Sequence, residues 1–464
     1  MLFAGLAKEE FDIKPIQSPM GAFVQRCADI YAGHPEWEDG DNHIKTINFA
    51  KSVCAETARL ATLAIGIHID GSARANWLQE QIDKIYFQLC HWVEYGCAYG
   101  TVILKPNGNG IDLVTPDNFL ITNTDNGKIT GAVFVDKQYN EQKKKFYARM
   151  EYHRFLDNGN YAISNRCYEC DSDNQSAASI MSADKRVAID KTPWAGMSEE
   201  VEIVGVDKPL YGVLRMPAAN NIDISSPLGM PLFASALEEL RDLDVAYSRF
   251  AKEIYDSART VLLDSDMLLP GGGKVSNSPH SFEARARDMQ LPDFVKMVYG
   301  NGTYDVYHEI NPTLQTDIRL TGINAYLNRI GDKCGYSNGY FVADARTGVM
   351  TATQVEADDR RTIQSIKDVR DMIESCLDDL IYALDKFADL YGYAPVGVYE
   401  VVYDFGDITY NRDEDRARWY GYVTQGKIPF WYYAEKFEGI TREEAQALSD
   451  DAQPKTPTLF GSEE

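Results

Sequence analysis

No window of the chain approaches about 18 uninterrupted apolar residues, so no segment reads as a membrane-spanning helix. Cysteine is sparse: the eight at positions 27, 54, 90, 97, 167, 170, 334 and 376 lack the dense spacing of a secreted disulfide framework. The first ten residues, Met1 to Glu10, carry neither a basic stretch nor an apolar run of signal-peptide length. A soluble, cytosolic chain with reduced thiols is expected. Positive charge is also short, with 46 Lys plus Arg against 70 Asp plus Glu and a formal charge of −24. Such a balance makes the chain a poor candidate for a stationary nucleic-acid clamp, yet it leaves room for DNA that must slide past without sticking.

Catalytic signatures are missing as well. None of the seven histidines sits in H-E-x-x-H, and His308-Glu309 runs into Ile310-Asn311-Pro312, which offers no second ligand. No G-x-S-x-G elbow occurs. Gly271-Gly272-Gly273-Lys274 fails as a phosphate loop, because Val275 stands where Ser or Thr must reach magnesium and Leu268 where the first glycine belongs; it reads as a turn. Cys167-Tyr168-Glu169-Cys170 is a single C-x-x-C without a second pair, and is read as structural. The pairs Asp264 and Asp266, Asp171 and Asp173, and Asp358 and Asp359 read as solvated faces. The expectation is a protein without catalytic residues, metal or cofactor.

What is present is material for several cores and for extended helices. A chain of 464 residues, 44% hydrophobic and 25% charged, implies two to four structural units. Helical periodicity runs from Ile44 to about Thr62 and from Trp77 to about Tyr95, the latter stopped by Gly96 and Gly100. Thr101 to Lys105, a Pro106 to Gly110 turn and Ile111 to Val114 read as strand, turn and strand. Turns at Asp125 to Lys128 and Asp157 to Asn160 punctuate β-rich stretches over Gly131 to Val135, Phe146 to Phe155 and Tyr161 to Cys167. Residues 1–228 thus read as an α+β unit, with the polar Asp171 to Lys185 as a surface insertion.

Ser225-Ser226-Pro227 has the chemistry of a helix start and predicts a helix to about Ala258, about 45 Å long, with Phe233, Leu237, Leu240, Leu243, Tyr247, Phe250 and Ile254 on one face. Short strands at Thr260 to Leu263, Val295 to Tyr299 and Tyr304 to Glu309 follow, then a helix from about Thr316 to Cys334. Next comes Ser337 to Met350, rich in small residues. After it, no proline or glycine interrupts Thr351 to Tyr391, and both Thr351 to Gln354 and Thr353 to Glu356 fit a capping box. This helix begins polar and acquires an apolar stripe through Ile363, Ile366, Val369, Ile373, Leu377, Leu380, Leu384 and Phe387. A strand over Val398 to Tyr403, helices near Arg412 to Gln425 and Thr441 to Asp451, and a polar tail complete the chain, with no internal repeat.

This order of parts resembles the tailed-bacteriophage portal proteins, in particular the family typified by the portals of Bacillus siphophages. Ser226-Pro227-Leu228-Gly229 leading into Phe233 to Leu237 and Leu243 to Tyr247 is similar to the start of that family's first stem helix. Asn311-Pro312-Thr313-Leu314 with Ile323 to Leu327 resembles its second. Gly348-Val349-Met350-Thr351-Ala352-Thr353-Gln354-Val355 is similar to its threonine-alanine-threonine-glutamate-valine signature, with Gln354 replacing the acid. Gly421 to Gly426 and Thr441 to Ala445 resemble its closing helices, while Ile428 to Trp431 departs from its serine-rich linker. The likeness spans about Ile44 to Asp451.

The resemblance implies an α+β portal fold with an α/β wing, a long helical stem, a small α/β clip and a helical crown, assembled as a twelve-subunit ring at one capsid vertex. Its divisions would be wing 1–228, first stem helix 229–258, clip 259–311, second stem helix 312–336, tunnel loop 337–350, wing and crown helix 351–391, and 392–464 for the remaining strand, crown helices and tail. It implies packaging and ejection of double-stranded DNA through a central channel. The partners implied are terminase, a head-tail adaptor and the major capsid or scaffold protein, in a virion component assembled in the host cytoplasm. The tunnel loop would place Asp344, Ala345, Arg346, Thr347, Gly348, Val349 and Met350 at the DNA, with Arg346 its only basic residue, and Arg329 and Lys333 are the candidate channel-facing cations of the stem. Two other readings compete: a phage capsid or connector component without a conduit, and a metal-dependent nucleic-acid enzyme built on the scattered carboxylates.

Overall fold

The computed structural model describes residues 4–16, 18–38, 44–107, 110–170, 185–256, 260–264, 295–298, 307–310, 315–342, 352–406, 419–424, 430 and 433–434. The chain divides into two compact units, Met1–Thr62 with Gly66–Tyr403, and Leu63–Ile65 with Asp404–Glu464. Several expected elements lie outside the described residues: the 171–184 insertion, the Gly271 turn, residues 343–350, most of the helix near Arg412 to Gln425, the helix over Thr441 to Asp451 and the tail.

In the first unit, α1 (Ala4–Phe11), α2 (Met20–Tyr31), α3 (Phe49–Ala61) and α4 (Ala73–Tyr99) accompany a sheet whose strand order is β4 (Phe119–Asp125), β5 (Lys128–Asn140), β6 (Lys145–Phe155), β7 (Tyr161–Cys170), β8 (Arg186–Val187). A further strand, β9 (Glu200–Ile203), pairs with β7. Asn126 and Gly127, at φ 48° and 76°, form the tight turn that sets the β4–β5 register. Side chains alternate faces along each strand. Leu120, Val133, Val135, Ala148, Met150 and Tyr152 therefore share one face and pack with Ala7 of α1 and Ile13. Phe119, Ile121, Ala132 and Phe134 share the other, packing with Met20 and Val24 of α2 and with Ile103 and Val114 of a second sheet. That sheet has the order β10 (Gly212–Arg215), β2 (Thr101–Pro106), β3 (Ile111–Val114), and a two-stranded pair joins β1 (Gly66–Asp70) to β14 (Glu400–Asp404).

Helix boundaries differ from the sequence reading where side chains or backbone are used elsewhere. The helix expected from Ile44 begins at Phe49, because Asn48, at φ 51°, takes the cap position and accepts a hydrogen bond from the Lys51 amide. Helix α4 is longer than expected at both ends, from a Ser72 cap to Gly100 at φ 76°; Gly96 is an interior residue. The largest difference concerns the helix expected from Ser225. Here α5 runs from Leu237 to Asp256, about 30 Å, preceded by a tight turn over Ala234–Ala236. The preceding segment is extended and buried across the end of α4, where the Gly229 amide donates to Thr101 Oγ1 at 2.7 Å and the Leu232 amide to the Cys97 carbonyl at 2.8 Å. A Cβ on Gly229 would stand 2.5 Å from the Gly100 carbonyl oxygen, so the two backbones meet through paired glycines.

From α5 the chain enters a small sheet in which β11 (Thr260–Asp264) runs parallel to β12 (Val295–Val298) and antiparallel to β13 (Tyr307–Ile310), in agreement with the three expected strands. It returns through α6 (Thr316–Lys333), and α7 (Ala352–Tyr391) supplies 40 helical residues, about 60 Å. Ile366, Val369, Ile373, Leu377, Leu380 and Leu384 of α7 are buried, as the stripe predicts. In the second unit, the Gly406 amide donates to the Leu63 carbonyl and the Tyr420 and Tyr433 rings lie 5.6 Å apart.

Candidate functional site

The expected working segment, residues 344–350 with Arg346, lies outside the described residues; what is described is the root from which it departs. Helix α6 ends in a Schellman motif. The Tyr336 amide donates to the Gly331 carbonyl at 2.8 Å and the Gly335 amide to that of Asp332 at 3.2 Å, with Gly335 at φ +88°. A Cβ on Gly335 would also fall 2.4 Å from Ser365 Oγ of α7, so two independent constraints select glycine.

The next residues are pinned by their side chains. Tyr336 is buried, and its hydroxyl lies 2.5 Å from Thr57 Oγ1 of α3. Because Thr57 donates its own proton to the Val53 carbonyl at 2.9 Å, Tyr336 is the donor of that pair. Burial, the largest cause, raises the Tyr336 pKa. The Ser337 amide donates to Thr362 Oγ1 at 2.9 Å, and Ser365 Oγ donates to the Gly335 carbonyl at 2.9 Å. Tyr340 donates its hydroxyl to Glu56, whose carboxylate also receives Arg59 Nε and Nη2 at 2.8 and 2.7 Å. Arg59 first, opposed by partial burial and helped by Tyr340, lowers the Glu56 pKa. Phe341 stands edge-on to Phe49 at 5.1 Å, and Arg361 pairs with Asp332. Residues 334–342 are therefore a packed turn latched to α3 and α7. Of the segment expected as the tunnel loop from Ser337, the described part to Val342 is packed, with Ser337, Gly339 and Val342 buried.

Arg329 and Lys333 both reach one carboxylate. Arg329 Nε is 3.2 Å and Lys333 Nζ 2.6 Å from Glu239 Oε1 of α5. Burial opposes the ionised Glu239, but Lys333 and Arg329 outweigh it and its pKa is lowered. At the other end of the pair, Glu253 of α5 accepts the Gln315 amide at 3.0 Å and pairs with Arg319. Position 239 facing 329 and 333, with 253 facing 315 and 319, makes α5 and α6 antiparallel neighbours. The Arg329 side chain keeps 69% of its surface exposed and Lys333 31%. They are interhelical cations whose heads still meet solvent.

A second polar cluster was not singled out in the sequence. On the inner face of β6, Glu151 Oε2 receives Lys105 Nζ at 2.6 Å and Arg149 Nη2 at 2.8 Å, and Asp136 Oδ2 receives Arg149 Nη2 at 2.5 Å. His153 Nε2 donates to Glu151 Oε1 at 2.8 Å, while its Nδ1 accepts from Tyr161, whose oxygen accepts the Leu210 amide. Burial lowers the His153 pKa despite Glu151. For Glu151, burial alone would raise the pKa; Arg149 and Lys105 outweigh it and hold the carboxyl well below the usual range. The alternation Arg149, Glu151, His153, flanked on the same face by Tyr147 and Phe155, is the signal that a polar inner face leaves. Cys167 of the C-x-x-C is buried, which pushes its thiol up to about 11. Among the described residues, no three His, Cys, Asp or Glu are grouped to hold a metal ion, and no helix is long and apolar enough to cross a membrane.

No protein-family model matches the chain, and no curated protein matches it. Among solved structures, the chain is similar to one in the virion of a native gene transfer agent particle, at 10% identity and TM-score 0.44, covering 94% of this chain and 99% of that one. It is also similar to a chain in the neck of an empty gene transfer agent particle, at 12% identity and TM-score 0.41, covering 87% of this chain and 90% of that one.

Proposed function

We propose that the chain is the subunit of a portal-like ring that forms the DNA channel at one capsid vertex of a virus-like particle, a structural rather than enzymatic role. The observation that carries this reading is the order of parts: an antiparallel pair α5 and α6 joined through the small β11–β13 sheet, a latched turn over residues 334–342, and then a 40-residue helix. It is the succession that the family resemblance implies for stem, clip, stem, tunnel loop and long helix. In this reading residues 344–350 border the duplex, with Arg346 making transient phosphate contacts, and Arg329 and Lys333 add positive charge along the stem. The β11–β13 sheet faces terminase during packaging and a head-tail adaptor afterwards, and twelve copies close the ring.

The formal charge of −24 suits a conduit, since like charge keeps phosphates from sticking while a few local cations guide the duplex. The test is direct imaging of the purified full chain by negative stain together with its native mass. Closed rings of about twelve copies around a central hole are expected. A chain that stays monomeric with and without capsid components overturns the proposal, and magnesium-dependent DNA cleavage replaces it with the enzyme reading. Within a particle, Arg346→Ala should leave ring assembly intact and reduce packaged DNA; unchanged packaging removes Arg346 from the channel.

A further inference from the structure

At the β4 edge of the six-stranded sheet, α1 packs on one face and α2 on the other, and a cavity of about 530 Å³ lies beside them. Leu120, Ile121 and Leu228, all buried, line it together with Gly5 of α1 and Gly21 of α2. The backbone demands neither glycine. Neither has the left-handed φ of Gly335, and a Cβ built on either would meet no atom within 4 Å. Both helices thus leave their first turns bare where any residue would fit, and the space stays open. Its size and apolar lining are those of a small-molecule site.

Among the described residues the lining carries one charged side chain and no carboxylate. The charge is Lys8 of α1, exposed and without a hydrogen-bond or ion-pair partner among those residues. Two serines also line the cavity. Ser18 Oγ donates to Asp223 at 2.6 Å and accepts the Met20 amide at 3.2 Å, while the buried Ser226 Oγ accepts the Leu228 amide at 3.4 Å and keeps its own proton to give. What remains on offer is therefore donors, one of them charged. An ammonium ligand would meet Lys8 as a like charge, and a peptide would bring amide groups that these few side chains cannot match. A carboxylate on an apolar chain satisfies both parts, its chain covering the apolar lining and its head pairing with Lys8. The formal charge of −24 opposes any anion from a distance, but at about 0.15 M salt that field is screened beyond about 8 Å, whereas Lys8 stands at the site.

We infer that the cavity beside α1, α2 and β4 is a binding site for a small amphiphilic carboxylate, an apolar chain with one acidic head. The inference stands whether or not the chain forms a DNA-conducting ring. The probes are octanoate and octanamide, which share a chain and differ in the charge of the head. Binding to the full chain at about 0.15 M salt is followed by saturation-transfer NMR and titration. Saturable binding of octanoate is expected, at least about threefold tighter than octanamide, as one half-solvated ion pair allows. Lys8→Met keeps a stem of similar length and removes the charge, and should bring octanoate down to the affinity of octanamide. Gly21→Leu, and separately Gly5→Leu, place a side chain in the open space and should weaken both probes at least about tenfold. Leucine is the better helix former, so these variants should melt at an unchanged or higher midpoint. No saturable binding by the folded chain, binding that survives both glycine substitutions, or an octanoate preference that survives Lys8→Met overturns the inference.

Discussion

At Gly335 two demands fall on one residue: a left-handed φ that closes α6, and contact with Ser365 that leaves no room for a methyl group. Gly335→Ala is expected to cost about 2–3 kcal/mol in urea unfolding, and adding Ser365→Ala should recover only the part due to the clash. The buried His153–Glu151 pair sets a pH dependence of known sign. Both groups have folded-state pKa values lowered from their unfolded values, so the unfolded chain binds more protons as the medium is acidified. Stability should hold near neutral pH, fall as pH drops below about 6.5 while unfolded His153 protonates, and fall further below about 4.5 as Glu151 does. His153→Gln should flatten the first of these stages in melting curves taken from pH 7 to 5. The sequence reading ends this helix at about Cys334, beside Gly335, and the helix does end there, at Lys333. The sequence does not announce the latch, because Tyr336 and Thr57 are 279 positions apart and a buried hydroxyl pair leaves no local pattern.

Among the elements, the long helix was the most legible, since its start chemistry, its uninterrupted length and its apolar stripe all agree. Helix α5 was less so, for a start signal at Ser225-Ser226-Pro227 is real chemistry that tertiary contacts overrule: the amides of Gly229 and Leu232 bond to Thr101 and Cys97 instead. Helix α7 also finishes another helix. Arg370, buried on its packed face, donates to the carbonyls of Leu60 and Ala61 at 3.0 and 3.1 Å, where α3 leaves its last carbonyls unpaired and the dipole favours a cation. Arg370→Met is expected to lower stability by about 2–3 kcal/mol in urea, since burial strands those carbonyls without water. Between α5 and α6, Glu239 serves two cations from a partly buried position while Arg329 is largely exposed. Glu239→Ala should therefore cost about 1 kcal/mol and Arg329→Ala under about 0.5 kcal/mol, compared by thermal midpoints.

For the molecule as a whole, charge decides how duplex DNA can be handled. A protein that holds DNA by neutralising phosphates releases counterions, and its affinity falls steeply with salt, by a log-log slope near −0.9 per phosphate contacted. With 46 basic against 70 acidic side chains, net repulsion opposes that kind of grip, and Arg329, Lys333, Lys105 and Arg149 are already bonded to carboxylates. Free duplex mixed with the purified chain is therefore expected to show no retardation at about 50 mM salt, where a clamp binds best, and no measurable salt slope. Tight, salt-sensitive binding would mean that the cations cluster on one surface and that the chain grips DNA, contrary to a conduit. Absence of binding in solution combined with retention of DNA inside an assembled particle would separate enclosure from adhesion: in the proposed conduit the duplex is then held by topology rather than by charge.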